Sequence, residues 1–267
     1  MNLLDLQNLT ILIPALVAGF LVLLSHVPLG QEVLRRGIIF IDLAIAQVVG
    51  LGVIASHTLG IEPEGWAAQF AAMTAALLGA LLLTWTERKT PELQEALIGV
   101  LFVLAATAQI LLLASDPHGS EDLKDLLAGQ ILWVSSEHLT RASVLTALFL
   151  IVWFRWREHL GRVGFYVAFA LMVTVSVQLV GVYLVFTTLI VPAIATSRTT
   201  PKRRLVAGYA MSALGYLVGL GLSAVYDLPS GPVVVVTLAI FGIAAYAVMR
   251  PVAQIQATPA GAGTHHY

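Results

Sequence analysis

An all-α bundle of membrane-spanning helices is the fold class this sequence predicts, and three observations predict it. Hydrophobic residues make up 58% of the 267 positions and charged residues only 11%, against about 25% charged in an ordinary soluble domain. Mean hydropathy is +0.90. The charges fall between long apolar runs instead of recurring along them. With 14 Lys and Arg and 15 Asp and Glu, the chain cannot cover a water-soluble surface. A soluble enzyme, a disordered regulator and a secreted module are therefore excluded. A formal net charge of -1 leaves no basic footprint for nucleic acid. Cysteine is absent, which removes disulfides, thiolate catalysis and Cys-based metal centres. The start, MNLLDLQNLT, has no basic region, so no signal peptide is expected.

A spanning helix needs about 20 mostly apolar residues. Leu6–Gln31 supplies the first and Gly37–Ile61 the second, interrupted only by Asp42. Gly65–Thr86 and Ala96–Ser115 are the third and fourth, and Thr140–Trp156 is a weaker fifth. Leu205–Tyr226 and Leu228–Met249 close the series. Between the fifth span and these two, Val163–Ser197 runs 35 residues without a charge. As one helix it would reach about 52 Å, against a hydrocarbon core of about 30 Å. Two short spans with a turn near Val180-Gly181 fit better, giving about nine spans.

The positive-inside rule agrees. With nine spans, all of the 14 basic residues except Lys124 and Arg141 share one side. That orientation places the N-terminus outside and the C-terminus in the cytoplasm. Residues 1–252 form the membrane domain. The tail 253–267, small, polar and Pro/Gly-rich, is expected to be disordered.

Four segments carry a family resemblance. Pro28-Leu29-Gly30 runs into Arg35-Arg36, with Asp42 following. Glu95-Ala96-Leu97-Ile98-Gly99 opens the fourth span, and Gly129-Gln130-Ile131-Leu132-Trp133-Val134 comes third. The fourth runs from Val180-Gly181 through Pro192-Ala193 and Gly219 to Asp227-Leu228-Pro229-Ser230-Gly231-Pro232. Together and in order they resemble the membrane permeases of the zinc/manganese ABC importers, the ABC-3 family. The resemblance implies a homodimeric permease in a bacterial cytoplasmic membrane. Two cytoplasmic ATPase subunits would bind beneath it, and a periplasmic binding protein would deliver the metal ion. The chain has no G-x-x-x-x-G-K-[ST] loop of its own. It would be the path and no enzyme, holding no cofactor, with Zn2+ or Mn2+ as cargo.

Asp42 is the first candidate on that path. A carboxylate inside a span costs about 2.5–3.5 kcal/mol on insertion scales, and its oxygens suit a divalent cation. The other reading pairs Asp42 with Arg35 or Arg36. The family has Asp and His one turn apart here, whereas this chain has Ala46 followed by Gln47. His26, in the first span, is a candidate replacement ligand if the first two spans pack together, or else a His bonded to a neighbouring helix. Gln47, Gln109 and Gln178 either line a hydrophilic route or bond between helices. His57, His118 and His138 either assist capture or sit in solvated loops.

Pro192, Ser197, Arg198, Thr200, Lys202 and Arg203 lie where the resemblance implies an ATPase-coupling helix. Asp227, Pro229 and Gly231 form a tight turn on the side of the binding protein. The segment between the fifth and sixth spans is shorter than the family usually has, and Trp153 and Trp156 there are expected to anchor the interface. The missing His leaves open a different cargo, such as a chelate or vitamin, or a proton-coupled carrier using Asp42 and His26.

Overall fold

The structure is a computed structural model that describes residues 6–60, 66–114, 119–129 and 131–249. The tail 253–267, His118 and Gln130 lie outside these residues. Among the described residues, ten α-helices follow in order: α1 (Leu6–Arg36), α2 (Ile41–Thr58), α3 (Trp66–Lys89), α4 (Gln94–Leu113), α5 (Gly119–Ala128), α6 (Ser136–Trp156), α7 (Gly161–Val180), α8 (Val182–Ala195), α9 (Pro201–Tyr226) and α10 (Ser230–Val248). No strand occurs among them. Eight helices are long and apolar enough to cross a membrane, and α8 is the shorter apolar one.

The charge-free segment does fold as a hairpin, and Gly181 makes it. Its φ of 82° is open to glycine at no steric cost, and it ends α7 while starting α8. The two arms are unequal. The 20 residues of α7 suffice to span, whereas the 14 of α8 reach only about 21 Å. The arms splay apart. Helix α7 packs chiefly on α3, and α8 lies between α1 and α10. Helix α5, an amphipathic segment between the fourth and fifth expected spans, is an element that span counting does not announce.

Helices in lipid gain little from apolar burial alone, so close backbone approach matters. Helix α3 buries Ala68, Ala72, Ala76 and Ala80 along one face, one residue per turn. That stripe admits α2, whose Gly52 stands against Ala71 and Ala75. Between α9 and α10, Gly219 and Gly215 face Val234 and Leu238. The Thr237 hydroxyl adds a 3.0 Å bond to the Gly215 carbonyl. Outward-facing Leu104, Leu111, Leu148, Ile151, Ile240 and Ile243 are exposed and form the face that lipid would cover.

The contacts also fix helix direction. Tyr216 packs on Gly19 and the Tyr209 hydroxyl bonds the Leu24 carbonyl, so α9 runs antiparallel to α1. Helix α10 returns parallel to α1, and Arg198 after α8 reaches Tyr246 near the end of α10. Arg36 lies 4.1 Å over the Phe165 ring at the start of α7. The ends of α1, α3, α6 and α8 and the starts of α7 and α9 therefore share one end of the bundle, with Arg35, Arg36, Arg88, Lys89, Arg155, Arg157, Arg162, Arg198 and Lys202–Arg204. Arg141 lies at the other end, over Trp66.

Candidate functional site

Asp42 is the second residue of α2, near the basic end. It is completely buried. Neither carboxylate oxygen has a hydrogen-bond partner among the described residues. The alternative pairing with Arg35 or Arg36 does not occur. Both arginines instead donate to Glu32, Arg35 Nη2 at 2.5 Å and Arg36 Nε at 2.8 Å. The sequence reason is helical spacing: Glu32 lies three and four residues before them on the same helix. Asp42 is separated from them by the Gly37 turn (φ 71°).

His26 is also fully buried. Its Nδ1 meets the Ser25 hydroxyl at 2.9 Å and the Val22 carbonyl at 3.1 Å. Its Nε2 has no partner among the described residues. The spans that would bring it to Asp42 pack chiefly on different helices, although α7 and α8 touch both. Helix α1 packs on α8, α9 and α6, while α2 packs on α3 and α4. No group of three or more His, Asp or Glu side chains converges among the described residues.

Gln47 is bonded across to α4. Gln109 Nε2 donates to its side-chain oxygen at 2.7 Å and to its backbone carbonyl at 2.8 Å. At 100° per residue, Gln47 stands about 140° around α2 from Asp42, so the two side chains leave different faces. Ala46, four residues from Asp42, is buried on nearly the same face. Gln178 lies away from Asp42, lining a peripheral cavity of about 430 Å³ between α3, α6 and α7, as does His138. His57 is exposed.

The candidate coupling segment comprises the end of α8, a turn and the start of α9. Residues 196–200 are a turn and not a helix. Arg204 holds that turn, donating to the carbonyls of Thr199 at 2.7 Å and Ser197 at 2.5 Å. Thr200 precedes Pro201 at the first position of α9, where a proline costs no backbone bond. Arg198, Thr200, Lys202 and Arg203 are exposed, and Ser197 is half-buried. Pro192 is buried, against Gly208.

At the opposite end, Asp227 adopts φ 52° and the Ser223 hydroxyl bonds the Leu228 carbonyl at 2.7 Å. Asp227 and Pro229 are exposed. Gly231 is buried because its backbone abuts the Ala128 carbonyl of α5. Gly129 and Gly181 meet backbone to backbone beside it. Trp153 is likewise interior, 2% exposed and stacked 5.4 Å from Phe149. Trp156 alone keeps the expected interface exposure, at 50%.

The sequence profile of the ABC 3 transport family matches residues 8–163 and 160–249. The chain belongs to the ABC 3 transport family. Among its relatives is the high-affinity zinc uptake system membrane protein ZnuB of Haemophilus influenzae, 26% identical over 248 residues, covering 85% of this chain and 93% of that one. A probable metal transport system membrane protein of Chlamydia muridarum is 24% identical over 258 residues, with 86% of each chain covered. The fold matches that of PsaBC from Streptococcus pneumoniae, solved in complex with Fab, at a TM-score of 0.73 and 22% identity over 90% of this chain and 92% of that one. Both relatives are named as membrane proteins, and the likeness to PsaBC extends over most of this chain's fold.

Proposed function

We propose that this chain is the permease subunit of an ABC importer and forms the path for a divalent metal ion, zinc or manganese. The single observation that supports it most is the buried carboxylate of Asp42, unpartnered among the described residues inside a span of an ABC 3 family member. A carboxylate in a membrane interior faces a bundle interior or a path, and its two oxygens suit a hard or borderline cation. The metal is cargo, and the chain is no enzyme. Relatives named for zinc uptake and metal transport support the cargo class.

The basic end is the cytoplasmic one under the positive-inside rule. That puts the N-terminus outside, the C-terminus inside, and the membrane domain at 1–252. Two copies would form the pathway. Arg198, Thr200, Lys202 and Arg203 offer the exposed surface for an ATPase, with Ser197 beneath. Asp227 and Pro229 face the side where a periplasmic binding protein would dock.

The test is radiolabelled zinc and manganese uptake in cells expressing the chain with its ATPase and binding protein, wild type against Asp42→Ala. Uptake of one metal that needs the ATPase and collapses in the variant is expected. Uptake of neither metal with all subunits assembled would overturn the cargo. Uptake unchanged in Asp42→Ala would remove Asp42 from the path.

A further inference from the structure

A hollow of about 490 Å³ opens at the basic end between the end of α1, the turn after α6 and the start of α7. Arg35, Arg36, Arg157 and Arg162 line it, against a wall of Trp153 and Phe165. Glu32 satisfies only the first two, accepting Arg35 Nε at 3.0 Å and Arg36 Nε at 2.8 Å. Arg162 reaches Glu87 only at 4.0 Å. Arg157 is held 5.8 Å above the Trp153 ring, which orients its fork without neutralising it. Four guanidiniums thus converge on one concave space. None of them is called on by the metal path.

Two further features point the same way. Helix α7 begins in this hollow with no side-chain cap on its first turn among the described residues, so the positive end of a 20-residue helix faces it. Gly161, with φ 58°, keeps open space beside that turn. The neighbouring Phe154 and Trp156 are exposed at 62% and 50%, the aromatic signature of the level where acyl chains give way to headgroups.

We propose that this hollow is a binding site for the phosphate of an anionic phospholipid. Guanidinium forks match phosphate oxygens bidentately. A basic pocket between spanning helices at the headgroup level is where such a lipid is held. Its acyl chains would run along the apolar outer faces of α6 and α7. The site depends on neither the metal reading nor the direction of transport.

Native mass spectrometry of the purified full chain tests it, with phosphatidylglycerol and phosphatidylcholine as probes. Phosphatidylglycerol adducts are expected to exceed phosphatidylcholine adducts by about tenfold. Arg157→Ala/Arg162→Ala should erase that preference. Arg88→Ala/Lys89→Ala removes the same charge at the same end outside the hollow and should preserve it. If the alanine pair fails to fold, Arg157→Lys/Arg162→Lys keeps charge while losing the forks and should lower the preference several-fold. Equal retention of both lipids would overturn the proposal. So would an equal loss in Arg88→Ala/Lys89→Ala. Displacement of phosphatidylglycerol by millimolar inorganic phosphate would reassign the site to soluble phosphate.

Discussion

Gly30 of α1 rests directly on the backbone of Leu189 of α8, so that a Cβ at position 30 would overlap the Leu189 carbonyl oxygen. A flexible side chain could yield to such a group, but a carbonyl inside a helix cannot move alone. The contact lets the short α8 lie close against α1. Gly30→Ala should therefore destabilise the bundle by about 1–3 kcal/mol, the usual cost of overpacking, and Gly30→Val by more. Gly99→Ala, where no described atom lies within 4 Å of the added carbon, should be neutral. The folded fraction by fluorescence-detected size exclusion after a heat challenge checks the ordering.

The Gln109–Gln47 bond ties α4 to α2 through two acceptors on one residue. Gln109→Leu strands the Gln47 oxygen, and Gln47→Leu leaves Gln109 Nε2 with only the backbone carbonyl. Each single change should cost up to about 1–3 kcal/mol if the polar atom remains unsatisfied. The double change Gln47→Leu/Gln109→Leu should cost less than the two singles summed. Such couplings in membranes average about 0.6 kcal/mol. Thermal unfolding of the four proteins measures the cycle, and additivity would mean that the two side chains act independently.

The spans are legible in the sequence because span length and charge placement are strong, local signals. The charge-free segment can be divided because 35 residues overrun a bilayer, and Gly181 marks the division by its φ of 82°. Helix α5 is not legible as a packed element. Ser, Glu and Asp open it and Lys124-Asp125 interrupt its leucines, and the surfaces that receive it belong to α8 and α4. Asp42 is legible as a carboxylate out of place. That Gln47 turns away from it follows from helical spacing alone and is there to be read. Pro192 and Gly231 resemble surface residues because they flank polar turns. Their burial depends on Gly208 and Ala128, from other elements of the fold, which no local pattern displays.

Gly181 and Gly37 separate two costs that a positive φ can carry. Both lie in the left-handed region, at φ 82° and 71°. Around Gly37 no described atom lies within 4 Å of an added Cβ, whereas at Gly181 it would strike the backbone of Gly129 and Ala128. Gly37→Ala should cost about 1–2 kcal/mol, the conformational term alone. Gly181→Ala should cost distinctly more and disturb the junction with α5. Limited proteolysis of that end, compared between the two variants, distinguishes local loosening from general instability.

Arg204 and the pair Lys202–Arg203 lie side by side yet should fail differently. Arg204 ties down the carbonyls of Ser197 and Thr199, so Arg204→Ala frees the turn that shapes the proposed ATPase surface. A lysine cannot reproduce the two-pronged geometry, so Arg204→Lys should rescue poorly. Lys202 and Arg203 are exposed, and their loss removes only screened charge, worth about 0.2–1 kcal/mol per pair formed. Lys202→Ala/Arg203→Ala should therefore weaken ATPase binding several-fold at low salt. The deficit should vanish near 1 M, where the Debye length falls to about 3 Å. Arg204→Ala should keep its defect at every salt concentration, because shape and not charge is lost. Binding of the purified ATPase across a salt series tests both, and a salt-sensitive Arg204→Ala defect would assign that residue to direct docking instead.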